Sequence, residues 1–206
     1  MSSRFWLADA PLVLASGSAT RRVLLEGAGL PVTVRPADLD ERAIEAPLRA
    51  AREAPSVVAA HLARAKAMTV AKSHPGQLVL GADQVLALGE DLFAKPTSSE
   101  AARAHLVRLS GKTHTLSSAV CLVRDDAVLF DTVAEARLTM RSLSEPFLDA
   151  YLAAEGSAVC ASVGAYRLEG LGIQLFTRIE GDHATVLGLP LLDLLPALRQ
   201  LGYLLG

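Results

Sequence analysis

Cysteine is scarce in this sequence: Cys121 and Cys160 are the only two in 206 residues. Both sit among apolar neighbours, and no Cys/His spacing resembles a zinc site. They read as small buried apolar residues rather than as a disulfide or a nucleophile. An excess of one charge sign is also missing. Lys and Arg total 20 and Asp and Glu 22, a formal net charge of −2. Without a basic excess to drive counterion release, nucleic acid is not expected as the main partner. No apolar run reaches the ~18–20 residues that span a membrane. The N-terminus lacks the long apolar stretch of a signal peptide. The expectation is a cytoplasmic protein with no membrane partner. Repeats, low-complexity segments and long linkers are absent, as are the dinucleotide-binding glycine pattern and a P-loop.

What remains is a globular composition, 51% hydrophobic and 20% charged, long enough for one core or two lobes sharing a cleft. Leu12–Ala15 reads as a buried strand, Thr20–Ala28 as a helix ended by Gly29, and Val32–Arg35 as a second strand. Asp38 to Arg42 reads as an acidic loop. Val57–Lys72 is a long helix stopped by His74, Pro75 and Gly76. A strand over Leu78–Leu80 ends at Gly81 to Gln84, and Val85–Leu88 continues as strand beyond it. Ser98–Ser110 reads as a helix capped by Ser98 or Ser99. Thr113–Arg124 is a strand, Ala127–Met140 supplies two more, and Ser144–Ala154 is a helix. Val163–Ile179 carries short strands or loops, and Leu189–Leu204 is the closing helix. Strands alternating with helices around a β-rich middle predict an α/β protein with a mixed sheet.

The first strand-to-helix junction is the most informative stretch. An apolar run stops at Ser16-Gly17-Ser18, and Arg21 and Arg22 open the helix. Small residues at a helix start leave N–H groups free to face an anion, and guanidiniums suit phosphate. Asp83 follows a buried strand, where it is a metal ligand, a general base for water, or a turn residue. Glu41, in the acidic stretch with Asp38 and Asp40, is a second carboxylate for a hard cation or part of a solvated loop. Lys66 is a surface lysine of an Ala-rich helix or, with Lys95 before Pro96, a phosphate partner. Ser110 to His114 is a helix C-terminus or a ligand-facing turn. The glycine-rich loop Gly164 to Gly172 offers Tyr166 as a platform and Glu169 as an edge reader for a nucleobase.

These segments occur in a fixed order: Leu14 to Ser18 with Arg21, Gly81 to Asp83, Lys95-Pro96, Leu109 to His114, Gly164 to Tyr166, Glu169 to Gly172, Ile179 to Asp182, and Val186 to Pro190. In that order they resemble the Maf family, the septum-formation-inhibitor-like nucleoside triphosphate pyrophosphatases. The resemblance runs from about Leu12 to the C-terminus as a single domain, with residues 1–11 a short extension. It implies an α/β fold with an elongated mixed sheet, flanking helices and a central cleft, similar to inosine-triphosphate pyrophosphatases. It also implies hydrolysis of a nucleoside triphosphate to monophosphate and pyrophosphate with Mg²⁺ or Mn²⁺. By position, Ser16 and Arg21 would bind the phosphate chain, and Glu41 and Asp83 would serve the metal and the attacking water. Lys66 and Lys95 would neutralise phosphate charge. A homodimer is implied as well.

Three positions that resemble specificity determinants of the family are Thr20, Gln84 and Glu169. Gln84 and Glu169 resemble the subgroup acting on 7-methyl-GTP, whereas the dTTP/UTP subgroup has threonine and glutamine there. Thr20 matches neither, since those subgroups carry an aromatic or an arginine. A modified purine such as 7-methyl-GTP is therefore the expected substrate. The alternatives are a dTTP/UTP pyrophosphatase and a non-catalytic nucleotide-binding regulator of division.

Overall fold

Seven strands and seven helices form in chain order in the computed structural model, which describes residues 4–206. The strands are β1 (Leu12–Leu14), β2 (Val32–Val34), β3 (Leu78–Leu88), β4 (Asp91–Phe93), β5 (Thr113–Arg124), β6 (Ala127–Met140) and β7 (Phe176–Glu180). The helices are α1 (Ala19–Gly27), α2 (Glu41–Ala50), α3 (Pro55–Ala71), α4 (Ser99–Leu109), α5 (Glu145–Glu155), α6 (His183–Val186) and α7 (Leu191–Gln200). The sheet runs β2-β1-β3-β5-β6-β7, with β4 paired to β3. It is mixed: β1 lies parallel to β2 and β3, while β4 and β7 run antiparallel to β3 and β6. No helix among the described residues is long and apolar enough to cross a membrane.

The chain divides into two compact units. The first takes the residues up to Gln84 with Ser117–Ala134 and Asp182–Gly206, and the second takes Val85–Leu116 and Glu135–Gly181. The first unit has its core between β1, β3, β5 and α7, where Leu12, Leu14, Leu80, Leu122, Leu189 and Leu198 are fully enclosed. Residues 1–3 of the expected N-terminal extension lie outside the described residues. The rest of the extension packs on this core. Trp6 bridges to Leu204, stacks at a tilt on Tyr203 and donates from Nε1 to the Ala10 carbonyl at 2.9 Å.

Four elements differ from the sequence reading. The acidic stretch is not all loop: Asp40 caps α2, its carboxylate accepting from the Ala43 N–H at 3.2 Å. Pro47 lies inside α2, where proline is unfavourable, and α2 packs on α3. Residues 127–140 form one strand of 14 residues, not two, because no glycine or proline interrupts them. Residues 78–88 are likewise one strand, and Gly81 lies within it rather than ending it. The closing helix stops at Gln200, short of Leu204.

The second unit contains a small aromatic core. His114 is 1% exposed, and its Nε2 shares a 2.7 Å hydrogen bond with the Tyr166 hydroxyl. Tyr166 in turn packs edge-on against Phe176. His114, from the turn read as possibly ligand-facing, and Tyr166, read as a base platform, are therefore interior packing. Gly164 is part of the reason: an added Cβ would fall 2.2 Å from the Tyr166 ring. Ser110 and Gly111 end α4, with Ser110 Oγ accepting from the Leu143 N–H at 2.8 Å.

Burial pulls His114 down from 6.5 to about 4. The unfolded chain thus binds a proton that the folded chain refuses as pH falls from 6.5 toward 4, and stability falls with it. A denaturant titration series across that window should show a loss of roughly 2–3 kcal/mol in the wild type. In His114→Gln that part of the slope should be gone; an unchanged slope would mean that His114 is not its source.

Candidate active site

Strand β1 is buried along its length, and Ala15 extends its pairing to β3 through an N–H bond to the Leu80 carbonyl at 2.8 Å. The chain then turns at Ser16-Gly17-Ser18 into α1. Ser18 is the N-cap, accepting from the Arg21 N–H at 3.3 Å. Helical geometry separates the two arginines by about 100°. Arg21 turns inward and is buried, whereas Arg22 stays exposed in an ion pair with Glu26 at 2.7 Å. The basic pair seen in the sequence is thus one site residue and one surface residue.

Arg21 ties three separate segments together. Its Nε donates to the Gly188 carbonyl at 2.8 Å, and its Nη1 donates to Ser16 Oγ at 2.9 Å and to the Ala82 carbonyl at 2.8 Å. Burial pulls Arg21 below the usual arginine range, and the nearby Asp83 and Glu41 charges partly restore it. Gly188 carries φ +93° and sits so close that a Cβ would come within 3.4 Å of the guanidinium. A side chain there would meet both backbone strain and Arg21.

Lys66 lies on the buried stripe of α3, in register with Ala59, Leu62, Ala63 and Val70. That spacing is incompatible with the surface lysine allowed by its Ala-rich context. The stripe faces β3 at Gly81, where an added Cβ would fall 2.0 Å from the Ala63 carbonyl oxygen and 2.9 Å from Ala67 Cβ. Asp83 is two residues further along the strand, on the same face. The close approach at Gly81 therefore brings Lys66 Nζ to 2.5 Å from Asp83 Oδ1. The first residue of α2, Glu41, adds its Oε1 at 2.9 Å from the same ammonium. Glu41 is the exposed member of the group, while Asp83 and Lys66 are buried. Burial raises Asp83 above the usual carboxylate range, against the opposing pull of Lys66 and Arg21.

Gln84 turns away from Asp83, as alternation along a strand requires. Its amide nitrogen donates to Ser118 Oγ at 2.9 Å and to the Val186 and Thr185 carbonyls at 3.0 and 3.2 Å. Ser118 in turn donates to the Thr185 carbonyl at 2.8 Å. Flipping the amide would aim its oxygen at two carbonyls, so the orientation is fixed. Ser118, Thr185, Val186 and Gly188 were not singled out from sequence as site residues. The Val186 to Pro190 segment was the available signal, since a Gly between apolar residues after a short capped helix marks a special turn.

Ser16, Arg21, Glu41, Lys66 and Asp83 thus come together in the first unit, with Gln84 beside them and Thr20 half-buried on the first turn of α1. Lys95 and Glu169 belong to the second unit and are both exposed. In the first-unit group two positive side chains face two carboxylates. A triphosphate adds several negative charges, which calls for a further cation. Asp83 and Glu41 already converge on one cationic point, so the donor set suits a hard divalent ion completed by phosphate and water oxygens. No cluster of three or more His, Cys, Asp or Glu residues able to hold a metal exists among the described residues.

The family model described as Maf-like protein matches residues 11–201. Among curated proteins, the chain is 53% identical over 195 residues to a 7-methyl-GTP pyrophosphatase of Mesorhizobium japonicum, covering 95% of this chain and 98% of that one. It is 52% identical, over the same shares, to a 7-methyl-GTP pyrophosphatase of Rhizobium etli. It is 53% identical to a nucleoside triphosphate pyrophosphatase of Bradyrhizobium diazoefficiens, covering 95% and 96%.

Because the helix–strand contact at Gly81 sets the Lys66–Asp83 distance, Gly81→Ala should cost about 1–3 kcal/mol or more and reduce turnover further than the stability loss explains. Gly27→Ala, where nothing lies within 4 Å of the added carbon, should gain about 0.5–1 kcal/mol and leave turnover unchanged. Thermal melts with parallel activity assays check both. A Gly81→Ala protein that is as stable and active as the wild type would contradict the close-approach argument.

Proposed function

The chain belongs to the Maf-like protein family, and from that premise we propose that it is a nucleoside triphosphate pyrophosphatase. It hydrolyses its substrate to the nucleoside monophosphate and pyrophosphate. The observation that carries this reading is the group in which Lys66 joins Asp83 to Glu41 beside Arg21. Attack on the α-phosphorus needs a water that loses a proton as it bonds to phosphorus, while the bond to the pyrophosphate oxygen breaks. Asp83 accepts that proton; its burial makes it a better base than an exposed aspartate. Arg21, held rigidly by its three protein acceptors, and Lys66 face the phosphate chain and offset charge on the leaving group. Asp83 and Glu41 would hold the divalent cation, which supplies further positive charge to the phosphate oxygens. No side-chain nucleophile is used.

The favoured substrate is 7-methyl-GTP or a similar purine triphosphate. Support comes from the names of the Mesorhizobium and Rhizobium relatives and from the chemistry of Glu169. A carboxylate accepts from guanine N1–H and N2–H₂, which thymine does not offer. Lys95 as a phosphate partner, Glu169 as a base reader and Thr20 and Gln84 as specificity positions rest on the resemblance. For Gln84 the fixed amide leaves the carbonyl end, not the nitrogen, as the end available for reading a base.

A nucleotide panel with Mg²⁺ or Mn²⁺, read by pyrophosphate release, tests the proposal. The wild type should release pyrophosphate, fastest from 7-methyl-GTP. Asp83→Asn should lose at least about a thousandfold in turnover while its circular dichroism is retained. Glu169→Gln should shift preference away from guanine. Release of orthophosphate alone, or no turnover of any triphosphate, would refute the reading.

A further inference from the structure

Lys66 occupies the point on which Asp83 and Glu41 converge. Its Nζ lies 2.5 Å from one carboxylate and 2.9 Å from the other, and the residue is only 8% exposed. A divalent cation held by the same two carboxylates would need the same place. A third His, Cys, Asp or Glu ligand is missing, since no cluster of three or more such groups exists among the described residues. Arg21 adds a second positive charge that Asp83 and Glu41 both feel. A bare dication approaching the free protein therefore meets two fixed cations and only two carboxylates, both already neutralised.

We propose that Lys66 is a charge placeholder: it holds the metal-binding carboxylates closed in the nucleotide-free protein, so that the divalent ion is taken up together with the triphosphate rather than kept as a resident metal. The proposal rests on the pyrophosphatase reading of this group. When the triphosphate arrives, its oxygens give the ammonium an alternative acceptor. The flexible four-carbon stem lets the ammonium move from carboxylate to phosphate while its backbone stays on α3. The phosphate oxygens and water then complete the coordination that two carboxylates leave unfilled. Linkage makes the effect reciprocal: the nucleotide tightens metal binding by the factor by which the metal tightens nucleotide binding. Lys66 thus has a role before chemistry, in the order of assembly, in addition to offsetting phosphate charge.

The test is titration of Mn²⁺ alone, followed by electron paramagnetic resonance of the free ion, onto wild type, Lys66→Met and Lys66→Arg. Circular dichroism verifies that each is folded. Lys66→Met should bind Mn²⁺ about tenfold or more tighter than wild type, and adding Glu41→Gln should remove most of that gain. Lys66→Arg, which keeps the charge, should bind as weakly as wild type. Equal affinity of wild type and Lys66→Met would overturn the proposal. Should Lys66→Met fail to fold, Lys66→Gln, which also removes the charge, takes its place. In wild type the Mn²⁺ affinity, corrected for the ion that the non-hydrolysable α,β-methylene analogue of GTP chelates in protein-free solution, should rise about tenfold or more with that analogue, and an affinity indifferent to it would overturn the proposal. Pyrophosphate release by the wild type is measured in parallel. Its absence would refute the pyrophosphatase reading, whereas its presence with a metal affinity indifferent to Lys66 and nucleotide would refute the placeholder alone.

Discussion

The contact between α3 and β3 at Gly81 is the constraint on which the site depends. Only a residue without a side chain lets the Ala63–Ala67 segment of the helix lie against the strand. That approach buries Lys66 and delivers its ammonium to Asp83. Charges removed from water in this way are tolerated only when paired. Glu41 supplies the second negative charge from the start of α2, so the group holds two cations and two carboxylates with Arg21. Deleting one partner leaves an uncompensated buried charge. The same packing that stabilises the unit raises Asp83 above the usual carboxylate range.

Arg21 provides the complementary function of rigidity. Its bonds reach the turn after β1, the middle of β3 and the turn before α7. Those segments are far apart in sequence, and the guanidinium fixes their spacing. Gln84 reinforces the last of them by donating to Thr185 and Val186, three and two residues before the Gly188 carbonyl that Arg21 holds. A cation preorganised in this manner, if it binds phosphate as we propose for Arg21, loses little freedom when substrate arrives, which favours stabilisation of the transition state over ground-state binding.

Much of this was legible in the sequence, for identifiable reasons. Buried strands such as β1 announce themselves as apolar runs, and Ser18, Ser98 and Ser144 mark helix starts by capping chemistry. The grouping of Ser16, Arg21, Glu41, Lys66 and Asp83 followed from motif order, not from local propensity. Helix α2 was missed because its acidic, polar start reads as a solvated loop, whereas the Asp40 cap and packing on α3 make it a helix. Composition left Lys66 open between a surface lysine and a phosphate partner because it says nothing about direction; its register with Ala59, Leu62 and Val70 does. Tyr166 looked like an exposed platform because glycines in a loop suggest ligand approach. Here Gly164 makes room for the tyrosine ring itself. Side-chain destination in such loops depends on tertiary contacts that no short window contains.

In the proposed mechanism the carboxylate held by Lys66 activates water against the α-phosphorus. Turnover of 7-methyl-GTP in ¹⁸O-labelled water, with the products separated by mass spectrometry, tests it most directly. The label should appear in the nucleoside monophosphate, with unlabelled pyrophosphate beside it. Label in pyrophosphate or in orthophosphate would place the attack on another phosphorus and contradict the assignment of Asp83, Lys66 and Arg21 to this chemistry.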